Sequence, residues 1–324
     1  MRFLLFFFTV FFLVATLEAQ ERFTNSDGYR NEKTLRDILK WSWSREEPKK
    51  EYIEIKEITD QKFFNNLSSY ALWIGHSTFL INNGDITILF DPVFSERASP
   101  LPFAGPKRLI KPVIKIEDLP YIDVIAISHN HYDHFDINSL RKIQKRFPKV
   151  KILVPKGDLK LLSNYKLENG YEFVWWENLI VNNTLFTFTP AQHWSARGVR
   201  DRNKSLWGSW FTSYNNFNIF HAGDTGYSDD FVNIKNKLGP TDFAMIPIGA
   251  YDPEWFMNYS HVNPEEAIDI AKDLGSKKSV GMHWGTFILT DEPVLEPRER
   301  LLNNNFIQEI NFTTVTPGEI ITLN

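Results

Sequence analysis

An α/β fold is predicted by two features of the chain. Short β-branched or aromatic runs alternate with segments whose apolar residues recur at helical spacing. Four of those runs also end in loops that carry histidine, aspartate or both, as expected where strand ends build a site. The densest is Ser128-His129-Asn130-His131-Tyr132-Asp133-His134, directly after the apolar run Val124 to Ile127. The chain holds eight histidines, and three of them fall within six residues here.

Met1-Arg2 followed by Phe3 to Ala15 has the layout of a secretory signal peptide over residues 1–19, with an uncertain cleavage point. The apolar run is shorter than the about 20 residues a membrane span needs, and an uncleaved signal anchor is the alternative. An exported protein, periplasmic or secreted, is therefore expected, membrane-associated where the leader stays on as an anchor. Residues 20–66 are polar and charged with scattered aromatics, among them Trp41, Trp43, Phe63 and Phe64, and read as an extension lying against the main domain through those rings. The main domain is expected over residues 67–324.

Strands are expected at Tyr70 to Ile74, Phe79 to Ile81 and Ile86 to Phe90, the last two joined by a hairpin turn at Asn82-Asn83-Gly84-Asp85. Residues 93–112 form a long segment stiffened by Pro100, Pro102, Pro106 and Pro112. Its mixture of Phe94, Leu101, Phe103 and Leu109 with Arg97, Lys107, Arg108 and Lys111 suits an anionic lipid surface, or equally a loop packed on its own domain. After the histidine-rich turn, Asp136 is a candidate N-cap for a helix with Leu140, Ile143 and Phe147 on one face. Strands at Ile152 to Val154 and Phe173 to Trp175 flank a helical piece at 158–164. Leu185 to Thr189 is an alternating strand that delivers His193. Trp207 to Tyr214 and Asn218 to Phe220 read as a hairpin whose second strand ends in His221-Ala222-Gly223-Asp224. Phe243 to Ile248 is a strand and Pro264 to Leu274 a helix with proline in its first turn. Ser279 to Met282 is a strand ending in His283.

Composition narrows the chemistry. With 43% hydrophobic residues the chain can bury a large core. A net charge of -4, without a lysine or arginine stripe, argues against a nucleic-acid partner. There is no cysteine, so disulfides, thiolate ligands and a cysteine nucleophile are excluded, and any metal is held by nitrogen and oxygen. His129 and His131, two apart at a strand end, can point the same way, with Asp133 and His134 between strand and helix. Clustered imidazoles and carboxylates suit a borderline metal such as zinc.

The order His-x-His-x-Asp-His, a lone histidine, Gly-Asp and a late histidine resembles the metallo-β-lactamase superfamily. That resemblance implies an αββα sandwich in which His129, His131 and His193 hold one metal, Asp133, His134 and His283 hold a second, and Asp224 bridges them. Gly75-His76-Ser77-Thr78, Asp91-Pro92-Val93-Phe94, Gly105-Pro106-Lys107-Arg108, Leu206-Trp207-Gly208-Ser209-Trp210, Pro247-Ile248-Gly249-Ala250-Tyr251 and His283-Trp284-Gly285-Thr286-Phe287 are similar to N-acylphosphatidylethanolamine-hydrolysing phospholipase D. What this implies is a phospholipid substrate at a membrane surface, two divalent ions with zinc expected first, and a homodimer. It further implies attack at phosphorus by a hydroxide the metals hold, releasing phosphatidic acid and an N-acylethanolamine. Asp133 belongs to the reacting centre. His261 is the candidate to protonate or position the leaving oxygen, and Tyr132 the candidate to bond a phosphate oxygen. His76 and His221 are expected to support the site or the core. A lactone or another phosphodiester on the same fold, and an exported metal-binding protein without turnover, are the alternatives.

Overall fold

The computed structural model describes residues 22–30, 33–305 and 307–323; the expected signal peptide lies outside them. Among the described residues thirteen strands follow one another before the chain returns. β1 (Tyr70–Gly75), β2 (Thr78–Asn82), β3 (Thr87–Phe90), β4 (Val124–Ala126), β5 (Lys151–Pro155) and β6 (Gly170–Phe173) build the first sheet. β7 (Asn178–Val181), β8 (Thr184–Thr189), β9 (Ser209–Tyr214), β10 (Phe217–His221), β11 (Phe243–Pro247), β12 (Ser279–Met282) and β13 (Phe312–Thr313) build the second. β14 (Ile320–Thr322) then crosses back to pair antiparallel with β1. Each sheet has seven strands, in the orders β14-β1-β2-β3-β4-β5-β6 and β13-β12-β11-β10-β9-β8-β7.

The first sheet is buried on both faces, which explains why its strands read as continuous apolar runs rather than as alternation. Ala71, Trp73, Phe79, Ile88 and Ala126 face the second sheet. Their neighbours Leu72, Ile74, Leu80, Leu89 and Ile125 join a separate core with Leu140 and Ile143 of the helix Ile137–Arg146. On the far side, Ala267, Ile268 and Ala271 of the helix Pro264–Asp273 are buried against the outer face of the second sheet, where the helix packs on β11. Helix, sheet, sheet, helix is the αββα sandwich.

Helix boundaries follow their caps. Asp136 accepts from the Asn138 amide, and Asn263 and Glu266 cap each other reciprocally ahead of Pro264. The strand expected over Phe173 to Trp175 instead ends at Phe173, because Glu177 accepts from the Val174 amide and turns the chain. The extension contains a helix, Leu35–Ser44, capped by Thr34 and Asp37. Trp41 from this helix stacks on Phe256 and Phe64 stacks on Tyr70, whereas Trp43 is 95% exposed.

Parallel pairing of β3 with β4, and of β10 with β11 and β12, sends their C-terminal ends to one edge of the sandwich. Crevices at such ends are the usual ligand site of α/β sheets.

Candidate metal centre

Each element delivers its side chains to that edge through a tight turn. β3 ends in Asp91, β4 in the 128–134 loop, β8 in His193, β10 in Asp224 and β12 in His283, while the β1–β2 turn carries His76. His76, Asp91 and His283 adopt φ of 53°, 40° and 64°, a left-handed backbone that costs about 1–3 kcal/mol each and persists where surrounding structure imposes it. Gly223 is required at φ 62° because a Cβ there would lie 2.5 Å from the Ser128 Cβ.

The turns gather two groups of candidate ligands whose donor atoms lie within 4.8 Å of one another: His129, His131, His193 and Asp224, and His76, Asp133, His134 and His283. Asp224 reaches across them. Its Oδ2 lies 3.2 Å from His134 Nε2 and 3.8 Å from His129 Nε2, and its Oδ1 lies 3.1 Å from His283 Nε2. Asp224, His261 and His283 form a third, overlapping group. The seven residues expected as ligands therefore converge. His76 joins them, with Nε2 2.9 Å from Asp133 Oδ2. His221 does not: it stacks on Phe90 and its Nε2 donates to the Ser77 carbonyl.

Hydrogen bonds behind the ring nitrogens fix which one faces the centre. Ser128 Oγ donates its single proton to Asp91 Oδ2 at 2.6 Å, so His129 Nδ1, 2.9 Å from that hydroxyl, must be the donor there. His134 Nδ1 donates to Asp91 Oδ2 at 2.7 Å and His193 Nδ1 to the Ser260 carbonyl at 2.9 Å. All three therefore present an unprotonated Nε2 in their neutral form, as metal-ligating histidines do. Asp91, which the sequence marks only as part of a family-like motif without a role, also accepts from the Ser128 amide at 2.7 Å through its carboxylate. The only local signal was a charged residue directly after an apolar strand.

Metal ions fit this donor set. His134 Nε2, His283 Nε2 and Asp224 Oδ1 are buried and have no hydrogen-bond partner, an arrangement that is costly unless a cation completes it, and His131 turns its Nδ1 to the first group, 2.9 Å from His129 Nε2 and 3.3 Å from His193 Nε2. Burial holds the His129 and His193 imidazoles well below the ordinary histidine pKa, and His131 at about 4. At His134 and His283 burial acts the same way, but Asp224 and Asp133 outweigh it; both are raised, His283 to about 9. Burial would raise Asp224 and Asp133, yet the facing histidines hold both carboxylates well below their usual range. Two ionised carboxylates thus stand where the two groups meet, each facing histidines that they raise.

A cavity of ≈ 350 Å³ opens above the centre, lined by His131, Asp133, Asp224 and His261 at its floor and by Trp41 and Phe256 among its apolar walls. His261 Nδ1 is buried without a hydrogen-bond partner, 3.9 Å from Asp224 Oδ2. Tyr132 faces elsewhere. Its hydroxyl donates to the Arg197 carbonyl at 2.9 Å, its ring lies under the Arg197 guanidinium, and it lines a neighbouring cavity.

Fold and site define a metal-dependent hydrolase of the metallo-β-lactamase class, and residues 87–284 match the β-lactamase superfamily domain. A solved possible metal-dependent hydrolase from Veillonella parvula shares the fold, with a TM-score of 0.63 at 18% identity over 79% of this chain and 100% of its own. N-acyl-phosphatidylethanolamine-hydrolyzing phospholipase D 1 of Caenorhabditis elegans is 38% identical over 283 residues, 83% of this chain and 80% of its own length. The mitochondrial N-acyl-phosphatidylethanolamine-hydrolyzing phospholipase D of Saccharomyces cerevisiae is 42% identical over 240 residues, 72% of this chain and 51% of its own length. The chain belongs to the N-acylphosphatidylethanolamine-hydrolysing phospholipase D family.

Proposed function

We propose that this chain is a zinc-dependent phosphodiesterase that hydrolyses N-acylphosphatidylethanolamine, or a related glycerophospholipid, to phosphatidic acid and an N-acylethanolamine. The observation that carries this reading is Asp224 shared between two buried ligand groups at the floor of an apolar-walled cavity. His129, His131, His193 and Asp224 would hold one ion, and Asp133, His134, His283 and Asp224 the other. Bound there, two divalent ions supply Lewis acidity toward a phosphoryl oxygen and lower the pKa of water to near neutrality.

The chain's own residues do the rest. Asp91 and the Ser260 carbonyl keep the His134 and His193 rings oriented. Trp41 and Phe256 give the acyl chains an apolar wall and exclude water from the centre. Burial lowers the His261 pKa to about 4, so at neutral pH its ring is uncharged and serves to hydrogen-bond the ethanolamine oxygen rather than to deliver a proton from an imidazolium.

Action at an exported membrane surface fits the leader-like residues 1–19 and the exposed Leu101 and Phe103 beside Arg97 and Lys107. A homodimer is part of the same reading. Among the described residues no helix is long and apolar enough to cross a membrane. The test is product analysis after the zinc-loaded protein acts on N-acylphosphatidylethanolamine micelles in oxygen-18 water. Label in phosphatidic acid, with unlabelled N-acylethanolamine released, is the expected result. No turnover by metal-replete protein would refute the lipid assignment in favour of a lactone or another phosphodiester.

A further inference from the structure

Asn25 stands in the polar segment ahead of the first strand, yet it is 3% exposed and lies against the metal centre. Its side-chain amide pairs with the main chain of His193, 168 residues away. Nδ2 donates to the His193 carbonyl at 3.1 Å, and the His193 amide donates to Oδ1 at 3.0 Å. Oδ1 also accepts from Trp207 Nε1 at 2.8 Å, and Nδ2 also donates to the Tyr259 hydroxyl at 3.3 Å. Both donors and both acceptor positions of the amide are thereby used.

His193 leaves the end of β8 without a strand partner, so Asn25 replaces one. The ring of His193 is held separately, by Nδ1 donating to Ser260. We propose that Asn25 is a positioning residue of the metal centre: by clamping both main-chain polar groups of His193 it fixes where that ligand's Nε2 stands relative to His129 and His131. This rests on the reading of the buried histidines as metal ligands. It assigns part of the centre to a segment that otherwise looks like an appendage.

The rest of the segment has its own anchors. The Phe23 amide donates to the Asn203 carbonyl, Ser26 Oγ donates to Asp230 Oδ2 at 2.8 Å, and Tyr259 donates to Asp27. Changing Asn25 therefore need not detach it. Asn25→Asp keeps shape and volume but removes the Nδ2 donor and places a carboxylate oxygen against the His193 carbonyl. Partners that orient metal ligands typically matter about 10–100-fold in metal affinity when removed.

The experiment titrates zinc into metal-free full-length protein against a chromophoric chelator, and records the visible spectrum after cobalt substitution. Wild type, Asn25→Asp and Ser26→Ala are compared, with thermal melts of each metal-free protein alongside. The expected result is a loss of at least about 10-fold at one site of Asn25→Asp only, with an altered cobalt ligand-field band, while Ser26→Ala retains both sites. Should the aspartate not fold, Asn25→Ser carries the same expectation. Two wild-type-like sites in the folded variant would overturn the proposal and leave the metal centre standing. An equal loss at both sites in step with a lower melting temperature would also overturn it, by making Asn25 a general support of the fold. A wild type that binds no metal would remove the metal-centre reading itself, and the proposal with it.

Discussion

Asp224→Asn tests the centre most directly, because it removes one charge and almost no volume. The carboxylate places Oδ2 3.2 Å from His134 Nε2 and Oδ1 3.1 Å from His283 Nε2. At an effective permittivity of about 20, unit charges 3.2 Å apart interact by about 5 kcal/mol. Loss of this charge from the boundary of the two groups removes a principal attraction for any cation held there. The variant is expected to fold, since Asp224 Oδ1 has no hydrogen-bond partner and its close contacts are with the facing histidines. Metal content, read by elemental mass spectrometry, is expected to fall from two ions to one or fewer. Release of N-acylethanolamine, followed by liquid chromatography and mass spectrometry, is expected to fall at least about 1000-fold in kcat/KM, a loss of about 4 kcal/mol in transition-state stabilisation. A folded Asp224→Asn protein that lost one metal and hydrolysed lipid at the wild-type rate would refute the reasoning, because the shared charge would then be dispensable.

Three further predictions follow from the same geometry. His261→Ala is expected to retain two metal ions and lose about 100-fold in kcat; loss of an ion instead would make His261 a ligand and contradict its positioning role. His283, raised to about 9, carries a proton at pH 7 before metal binds and must give it up to bind. Zinc titrations in buffers of different ionisation enthalpy are accordingly expected to report at least one proton released, with affinity rising as pH approaches 9; a buffer-independent enthalpy would count against this. Asp158 is raised to about 7 by burial, so its stabilising neutral form is complete below about pH 4 and is lost as pH rises to about 7. Asp158→Asn is expected to flatten the stability profile over that window, by on the order of 4 kcal/mol at most, as read by urea unfolding at pH 4 to 8. A slope equal to that of the wild type would show that another group titrates there.

Those residues differ in how far the sequence exposed them. The seven candidate ligands were legible because the strand-to-helix turn after Ile127 packs four of them into six residues, and because the order of the other three, a lone histidine, Gly-Asp and a late histidine, resembles the metallo-β-lactamase pattern. The Ile137–Arg146 helix was legible for the same reason: its cap and its apolar stripe are local. The short strands β13 and β14 were not, since pairing with β12 and β1 from distant sequence is what makes them strands. The helix Leu35–Ser44 had local signals, Thr34 with Asp37 three residues on and Leu35, Ile38 and Leu39 at helical spacing, yet it buries none of its residues.

Asp91 and Asn25 mark the limit of such reading. Asp91 holds the His134 ring and Asn25 the His193 main chain, through hydrogen bonds spanning 43 and 168 residues. A neutral amide in a polar stretch has no spacing, charge or periodicity to single it out. Its role exists only once β8 ends where it does and leaves the His193 peptide in need of a partner. The extension drew notice for its aromatics, yet Trp43 stands in solvent while Asn25 is enclosed. Burial of a polar side chain with every hydrogen-bonding position filled is the stronger mark of a specified contact, because each bond lost there leaves a desolvated group unpaired. The segment before the first strand is accordingly best described as one wall of the metal centre, and its removal is expected to disturb His193 before it disturbs the sandwich.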